Sequence, residues 1–170
     1  FSHEHKTRFD VNVLTPIFVD GMVFISSGYG SGSQMVQLTA SNGSVTAEQA
    51  WESKELDNHH GGVILWNGHL YGCDSKRSWI CLDWETGETK YSEPGVGKGS
   101  STCADGMLIT LSESTQTVGL VEPTPEGHEV ISEFKLPKGG EGKSWAHPVV
   151  CGGRLYIRHG NFLYTYNVRE

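Results

Sequence analysis

Three short polar stretches hold most of the side chains in this sequence that can do chemistry: Asp57-Asn-His-His-Gly-Gly62, Gly97-Lys-Gly-Ser-Ser101 and Gly142-Lys-Ser-Trp-Ala-His147. His59, His60 and His147 offer imidazoles, which exchange hydrogen bonds and contact metals near neutral pH. Lys98 and Lys143 supply positive charge, Ser100 and Ser101 supply hydroxyls, and Trp145 offers a face for a planar ligand. The pattern predicts a ligand-binding site at His59, His60, Lys98, Ser100, Trp145 and His147. A structural reading competes with it: the imidazoles tie neighbouring elements together through backbone carbonyls while Trp145 plugs the space between them.

Other chemistries have thinner support. No Ser, His and Asp fall in an arrangement whose geometry can be inferred. Glu113 and Glu141 can approach the same region, but the sequence does not set their separation, so no hydrolytic carboxylate pair is assigned. Gly28-Tyr-Gly-Ser-Gly-Ser33 has the composition of a phosphate loop without its Gly-Lys-Ser ending or the helix that must follow. Cys73, Cys81, Cys103 and Cys151 contain no CxxC pair, which argues against zinc and dithiol chemistry. They suit small hydrophobes packed between layers, and Cys73 and Cys81 can meet across one hairpin. No catalytic residue and no metal site is assigned.

The bulk composition narrows the partners. The formal charge of −7 is spread along 170 residues, with no basic run longer than Lys76-Arg77, against the clustered positive charge that nucleic acid requires. No stretch approaches the roughly 18 uninterrupted apolar residues of a membrane span. Five Trp and six Tyr in a chain with 19% charged residues favour broad contact surfaces, with a protein or glycan as partner.

The polar stretches are positioned by a phrase that returns four times: a short strand, a glycine turn, a hydrophobic strand. It reads Pro16-Ile-Phe-Val-Asp-Gly21, Gly62-Val-Ile-Leu-Trp-Asn-Gly68, Ser101-Thr-Cys-Ala-Asp-Gly106 and Pro148-Val-Val-Cys-Gly-Gly153, the turn glycines lying 47, 38 and 47 residues apart. Repeats of this period built from short strands predict an all-β propeller of four-stranded antiparallel blades. The blades are expected at 15–53, 61–93, 99–136 and 146–170, the last with room for three strands. Residues 1–14 are expected to form the outer strand of a preceding blade or to close the ring. Each polar stretch immediately precedes an innermost strand, so the three should share one rim of the central channel. Four blades in an open row leave two apolar end faces. The expectation is an arc of a seven- or eight-bladed ring, completed by further sequence or by self-association, and the start at Phe1 fits a truncated or processed product.

Leu82-Asp-Trp-Glu-Thr-Gly-Glu88, after Gly68-His-Leu-Tyr-Gly and before Tyr91, resembles the repeat of the pyrroloquinoline-quinone-like propeller superfamily, with its Asp, Thr-Gly pair and following aromatic. Gln37-Leu-Thr-Ala-Ser-Asn-Gly43 echoes it with Trp51 displaced downstream, and the third unit is degenerate. A local structural role suffices for Asp83, whose carboxylate can accept from the turn amides. The resemblance implies two functions. Cofactor-free members act as assembly or adaptor proteins, which makes this chain a non-catalytic binding or scaffold module with no cofactor. Quinoprotein dehydrogenases hold the quinone between a Trp and a disulfide of adjacent cysteines beside a Ca²⁺, which would make it a quinone-dependent alcohol or sugar oxidoreductase completed by other blades. The sequence has no adjacent cysteines and no residue that matches the ion ligands or base, so the first is favoured. The resemblance also implies an extracytoplasmic location, in a bacterial periplasm.

Overall fold

A computed structural model describes residues 2–169, which form fifteen strands and no helix. The first sheet contains β1 (Ile17–Val19), β2 (Met22–Ser27), β3 (Gly32–Ser41) and β4 (Ser44–Ser53). The second contains β5 (Asn58–Trp66), β6 (His69–Asp74), β7 (Trp79–Asp83) and β8 (Thr89–Glu93). The third contains β9 (Gly99–Ala104), β10 (Met107–Ser112), β11 (Thr117–Val121) and β12 (Val130–Lys135). The last has β13 (Val149–Cys151), β14 (Arg154–His159) and β15 (Phe162–Asn167). Every sheet is antiparallel with strands in chain order, each strand hydrogen-bonded to its predecessor. The chain is an all-β, propeller-like arc of four blades.

The recurring glycine phrase is the turn between the first two strands of each blade. Asn67 and Gly68 have φ of 46° and 74°, and the corresponding pairs at 20–21, 105–106 and 152–153 are also left-handed. Two consecutive positive φ values make the type I′ turn, whose twist matches that of the flanking strands. Asn42–Gly43 does the same between β3 and β4, so that hairpin runs to Ser41↔Ser44.

Between blades lie three apolar layers. Phe24 and Met35 of blade 1 meet Leu70, Ile80 and Leu82 of blade 2, with Leu56 of the connector between them. Tyr71, Trp79, Cys81 and Tyr91 then meet Leu108 and Val121 of blade 3. Ile109, Leu111 and Val118 meet Leu155 and Ile157 of blade 4. Phe18 of blade 1 and Val149 and Leu163 of blade 4 are exposed. Residues 2–14 carry no strand; they cross blade 1, with hydrogen bonds linking His3 to Gln34, Ser27 to Asn12 and the Arg8 amide to Ser31. All four cysteines are free thiols. Cys73 stands opposite Trp79 and Cys81 opposite Tyr71, so strand register keeps the two apart.

The Asp-Thr-Gly phrase of blade 2 is a structural clasp. Asp83 Oδ1 accepts from the Glu85 amide (3.1 Å), the Thr86 amide (2.9 Å) and the Thr86 hydroxyl (2.8 Å). Partial burial raises the Asp83 pKa, but these hydrogen bonds outweigh it and hold the carboxyl below its ordinary value. Gly87 packs so closely on the Trp51 indole that a Cβ would strike the ring, and Trp51 Nε1 donates to the Trp84 carbonyl at 3.1 Å, so the phrase locks blade 1 onto blade 2.

Candidate functional site

A bulge in the innermost strand of blade 2 brings two imidazoles to the rim. Asn58 pairs with Asp74 and the next pair is Val63↔Gly72, so residues 59–62 stand against Cys73 alone. The Asn58 carboxamide nitrogen holds the bulge by donating to the carbonyls of Gly62 (3.0 Å) and Cys73 (2.9 Å). Bulges of this kind re-aim side chains, here His59 and His60. Gly61 makes it possible: a Cβ there would fall on the Gly99 carbonyl of β9.

At the centre of the rim is Glu113, in the turn between β10 and β11. Its amide donates to the Lys98 carbonyl (2.9 Å) and its carbonyl accepts from the Ser144 amide (3.0 Å), so its backbone joins the connectors that precede blades 3 and 4. Its carboxylate collects side chains from three blades. Oε2 accepts from His60 Nε2 at 2.8 Å and Trp145 Nε1 at 3.1 Å, with Lys98 Nζ at 3.9 Å. Lys143 Nζ lies 3.9 Å from Oε1.

The remaining predicted residues join the same set. Lys98 Nζ donates to His59 Nδ1 at 3.0 Å, and His147 Nε2 donates to the His60 carbonyl at 2.8 Å. Ser100 is buried beneath the rim, its hydroxyl donating to the Ala146 carbonyl at 3.4 Å, where it joins blade 3 to the connector of blade 4. Tyr29, His59, His60 and Trp145 make a continuous run of rings, with successive centroids 4.6, 5.1 and 5.6 Å apart.

The sequence brings Glu113 near this rim without a role and does not mark Tyr29 as a site residue. The available signal was position. Both residues sit in turns between second and third strands, and those turns share a rim with the connectors between blades. Asp57 illustrates the rule structurally: one oxygen accepts from the Gly30 (2.9 Å) and Gly32 (3.2 Å) amides, the other from the Ser75 hydroxyl. It clasps the corresponding turns of blades 1 and 2.

Electrostatics fix the protonation states. Burial raises the Glu113 pKa, but the His60 hydrogen bond, the Lys98 charge and the Trp145 hydrogen bond together hold it below its ordinary value. Burial pushes His60 down, and the pull of Glu113 does not restore it; burial and Lys98 push His59 down. At pH 7 Glu113 is therefore ionised while His59 and His60 are neutral. His60 therefore carries its proton on Nε2, leaving Nδ1 buried without a hydrogen-bond partner.

This arrangement holds side chains from neighbouring blades on one carboxylate. A carboxylate surrounded by donors and held below its usual pKa is a weak general base near pH 7. Nor does the donor set suit a quinone with Ca²⁺. Calcium takes six to eight oxygen ligands, whereas Glu113 is flanked by Lys98 and Lys143, whose charges oppose a cation. Among the described residues no group of three or more His, Cys, Asp or Glu side chains could hold a metal.

No family model and no curated protein matches this sequence. Solved structures do. BamB from Moraxella catarrhalis superposes with a TM-score of 0.61 at 16% identity, over 89% of this chain and 41% of that one. A chain from the Saccharomyces cerevisiae complex of a Dbp5 variant with Nup159, a Gle1 variant, IP6 and ADP gives 0.58 at 14% identity, over 87% of this chain and 39% of that one. The chain spans about two fifths of the length of these structures. At such identities the likeness is one of fold.

Proposed function

We propose that this chain is a non-catalytic propeller module that binds a protein partner through the Glu113 rim. One observation carries the reading: the Trp145 side chain is 58% exposed, yet its indole N–H is held by Glu113. An aromatic fixed in place while open to solvent loses little freedom on binding, which is the character of an interface anchor. Lys143 and His147 stand exposed beside it as polar contacts. The cofactor-free branch of the superfamily that the sequence resembles supports the same reading and an extracytoplasmic, periplasmic location. The depressed pKa of Glu113 and its cationic surroundings weigh against quinone-dependent oxidation.

Photo-crosslinking tests the reading. A photoreactive side chain at His147 should give a discrete protein adduct in the producing cell that disappears in the Trp145→Ala background, while one at Glu48 on the outer strand β4 gives none. Saturable binding on a glycan array in place of a protein adduct would transfer the rim to a carbohydrate ligand. Dye reduction across an alcohol panel after addition of quinone and Ca²⁺ would replace the module by an enzyme.

A further inference from the structure

The face opposite the Glu113 rim, where the type I′ turns lie, has two clefts of its own. One opens between blades 1 and 2, about 580 Å³ in volume, with Val19, Met22, Leu65 and Trp84 as its walls. Asp20 and Glu85 stand exposed at its mouth. The other opens between blades 2 and 3, about 330 Å³, walled by Trp66, Tyr71, Pro123 and Pro125, with Glu122 and Glu126 exposed at the edge. Asn67 lines both, so the clefts sit side by side on the two flanks of the Asn67–Gly68 turn.

No lysine or arginine lines either cleft, and Lys90 is engaged by Glu88 at 2.6 Å, so no ion pair reaches the four carboxylates at the mouths. Tyr71 is 1% exposed at the second cleft, and its hydroxyl has no nitrogen or oxygen partner, only the weakly bonding Cys81 thiol beside it. A buried hydroxyl left unpaired costs desolvation energy that an incoming polar group would recover.

We infer that this face is a second interaction surface, and that its partner is a basic protein segment in extended form. The segment crosses the Asn67–Gly68 turn, sets one bulky apolar or aromatic side chain into each cleft, and places Lys or Arg against Asp20, Glu85, Glu122 and Glu126. Its backbone or a side chain pairs with the Tyr71 hydroxyl. The apolar walls provide burial, and the carboxylates select the sign of the partner's charge. A second copy of this chain, at −7 net, meets the same carboxylates with the wrong sign.

The test is an amide NMR titration of the ¹⁵N-labelled chain with the synthetic peptide Lys-Leu-Lys-Trp-Lys-Leu-Lys and its charge-reversed counterpart Glu-Leu-Glu-Trp-Glu-Leu-Glu. The basic peptide should move the amides of Asn67, Gly68 and Gly106 and the indole N–H signals of Trp66 and Trp84, while the acidic one moves none. Glu85→Lys with Glu126→Lys, both at exposed positions, should weaken binding about tenfold in a chain whose spectrum remains folded. Trp145→Ala should leave the titration unchanged, separating this face from the rim. Shifts confined to the rim, equal binding of the acidic peptide, undiminished binding to the double variant, or no shifts would each overturn the inference. So would the same shifts on raising protein concentration without peptide, since the occupant would then be a second copy.

Discussion

Trp145 and Glu113 lie 32 residues apart, and the indole N–H of one donates to the carboxylate of the other at 3.1 Å while the ring stays open to solvent. The same oxygen accepts from His60 at 2.8 Å. One carboxylate thus serves a buried partner that joins blades and an exposed partner that faces outward. Structure and recognition are divided between two side chains of a single cluster, and substitution can tell them apart.

His60→Ala removes a mostly buried donor and leaves Glu113 short of a partner, which should cost about 1–2 kcal/mol. For a chain of this size that is a fall of roughly 4 °C in Tm. Trp145→Ala removes an exposed ring and should cost about half as much or less, while abolishing the partner adduct. Thermal unfolding followed by circular dichroism compares the two; an equal or larger loss for Trp145→Ala would make Trp145 cement between blades.

Acid should act on the rim in two windows. His60 is held below 6.5 in the folded chain, so the unfolded chain takes up the proton first, and stability falls as pH drops below about 6.5. Glu113 is held below 4.5, so its contribution is present above that value and is lost as pH falls through the lower folded pKa. Glu113→Gln should therefore be less stable than the parent at pH 7 and approach it below pH 4. Urea midpoints across pH 3–8 measure this, and parallel curves would mean that the Glu113 charge contributes nothing.

Much of the architecture was legible because its signals are local. The type I′ pairs at 20–21, 67–68 and 105–106 need residues that accept positive φ, and Asp-Gly and Asn-Gly announce them. The four glycine turns also set the order of the blades, which the sheets follow. The cluster was only half legible. Lys98, Trp145 and His147 precede innermost strands and His59 and His60 stand in the bulge at the start of one, so the repeat itself aligns them on one rim. Glu113 occupies a turn of a different class, and its role depends on how blade 3 sits between blades 2 and 4, which no local pattern encodes. The bulge at 59–62 was hidden for a similar reason: the Asn58↔Asp74 pair beyond it depends on the Asn58 carboxamide reaching two carbonyls across the sheet.

His128 should supply a separate acid response between blades 2 and 3. Its ring stacks on Trp79 with centroids 5.1 Å apart, and burial lowers its pKa to about 4. Relative to an ordinary 6.5 in the unfolded chain, stability should fall between pH 6.5 and about 4 by on the order of 3 kcal/mol. His128→Phe keeps an aromatic ring against Trp79 and removes the titration. Its unfolding free energy should be flatter over that range than the parent's, and an unchanged slope would place the acid sensitivity elsewhere.

Gly61 offers the sharpest test of the blade 2–blade 3 contact that supports the rim. A Cβ at Gly61 would fall on the Gly99 carbonyl, and both partners are backbone that cannot swing aside. Gly61→Ala must therefore push β5 from β9, opening the bulge that carries His59 and His60; a loss of about 3 kcal/mol is expected. Gly43→Ala is the control. Its φ of 76° strains any side chain, but nothing lies within 4 Å of the added carbon, so the cost should be only about 1 kcal/mol. Urea unfolding of the two variants compares backbone collision with φ strain alone. Equal losses would mean that the blades slide to absorb the methyl group, and that the close approach of β5 to β9 does not set the position of the two imidazoles.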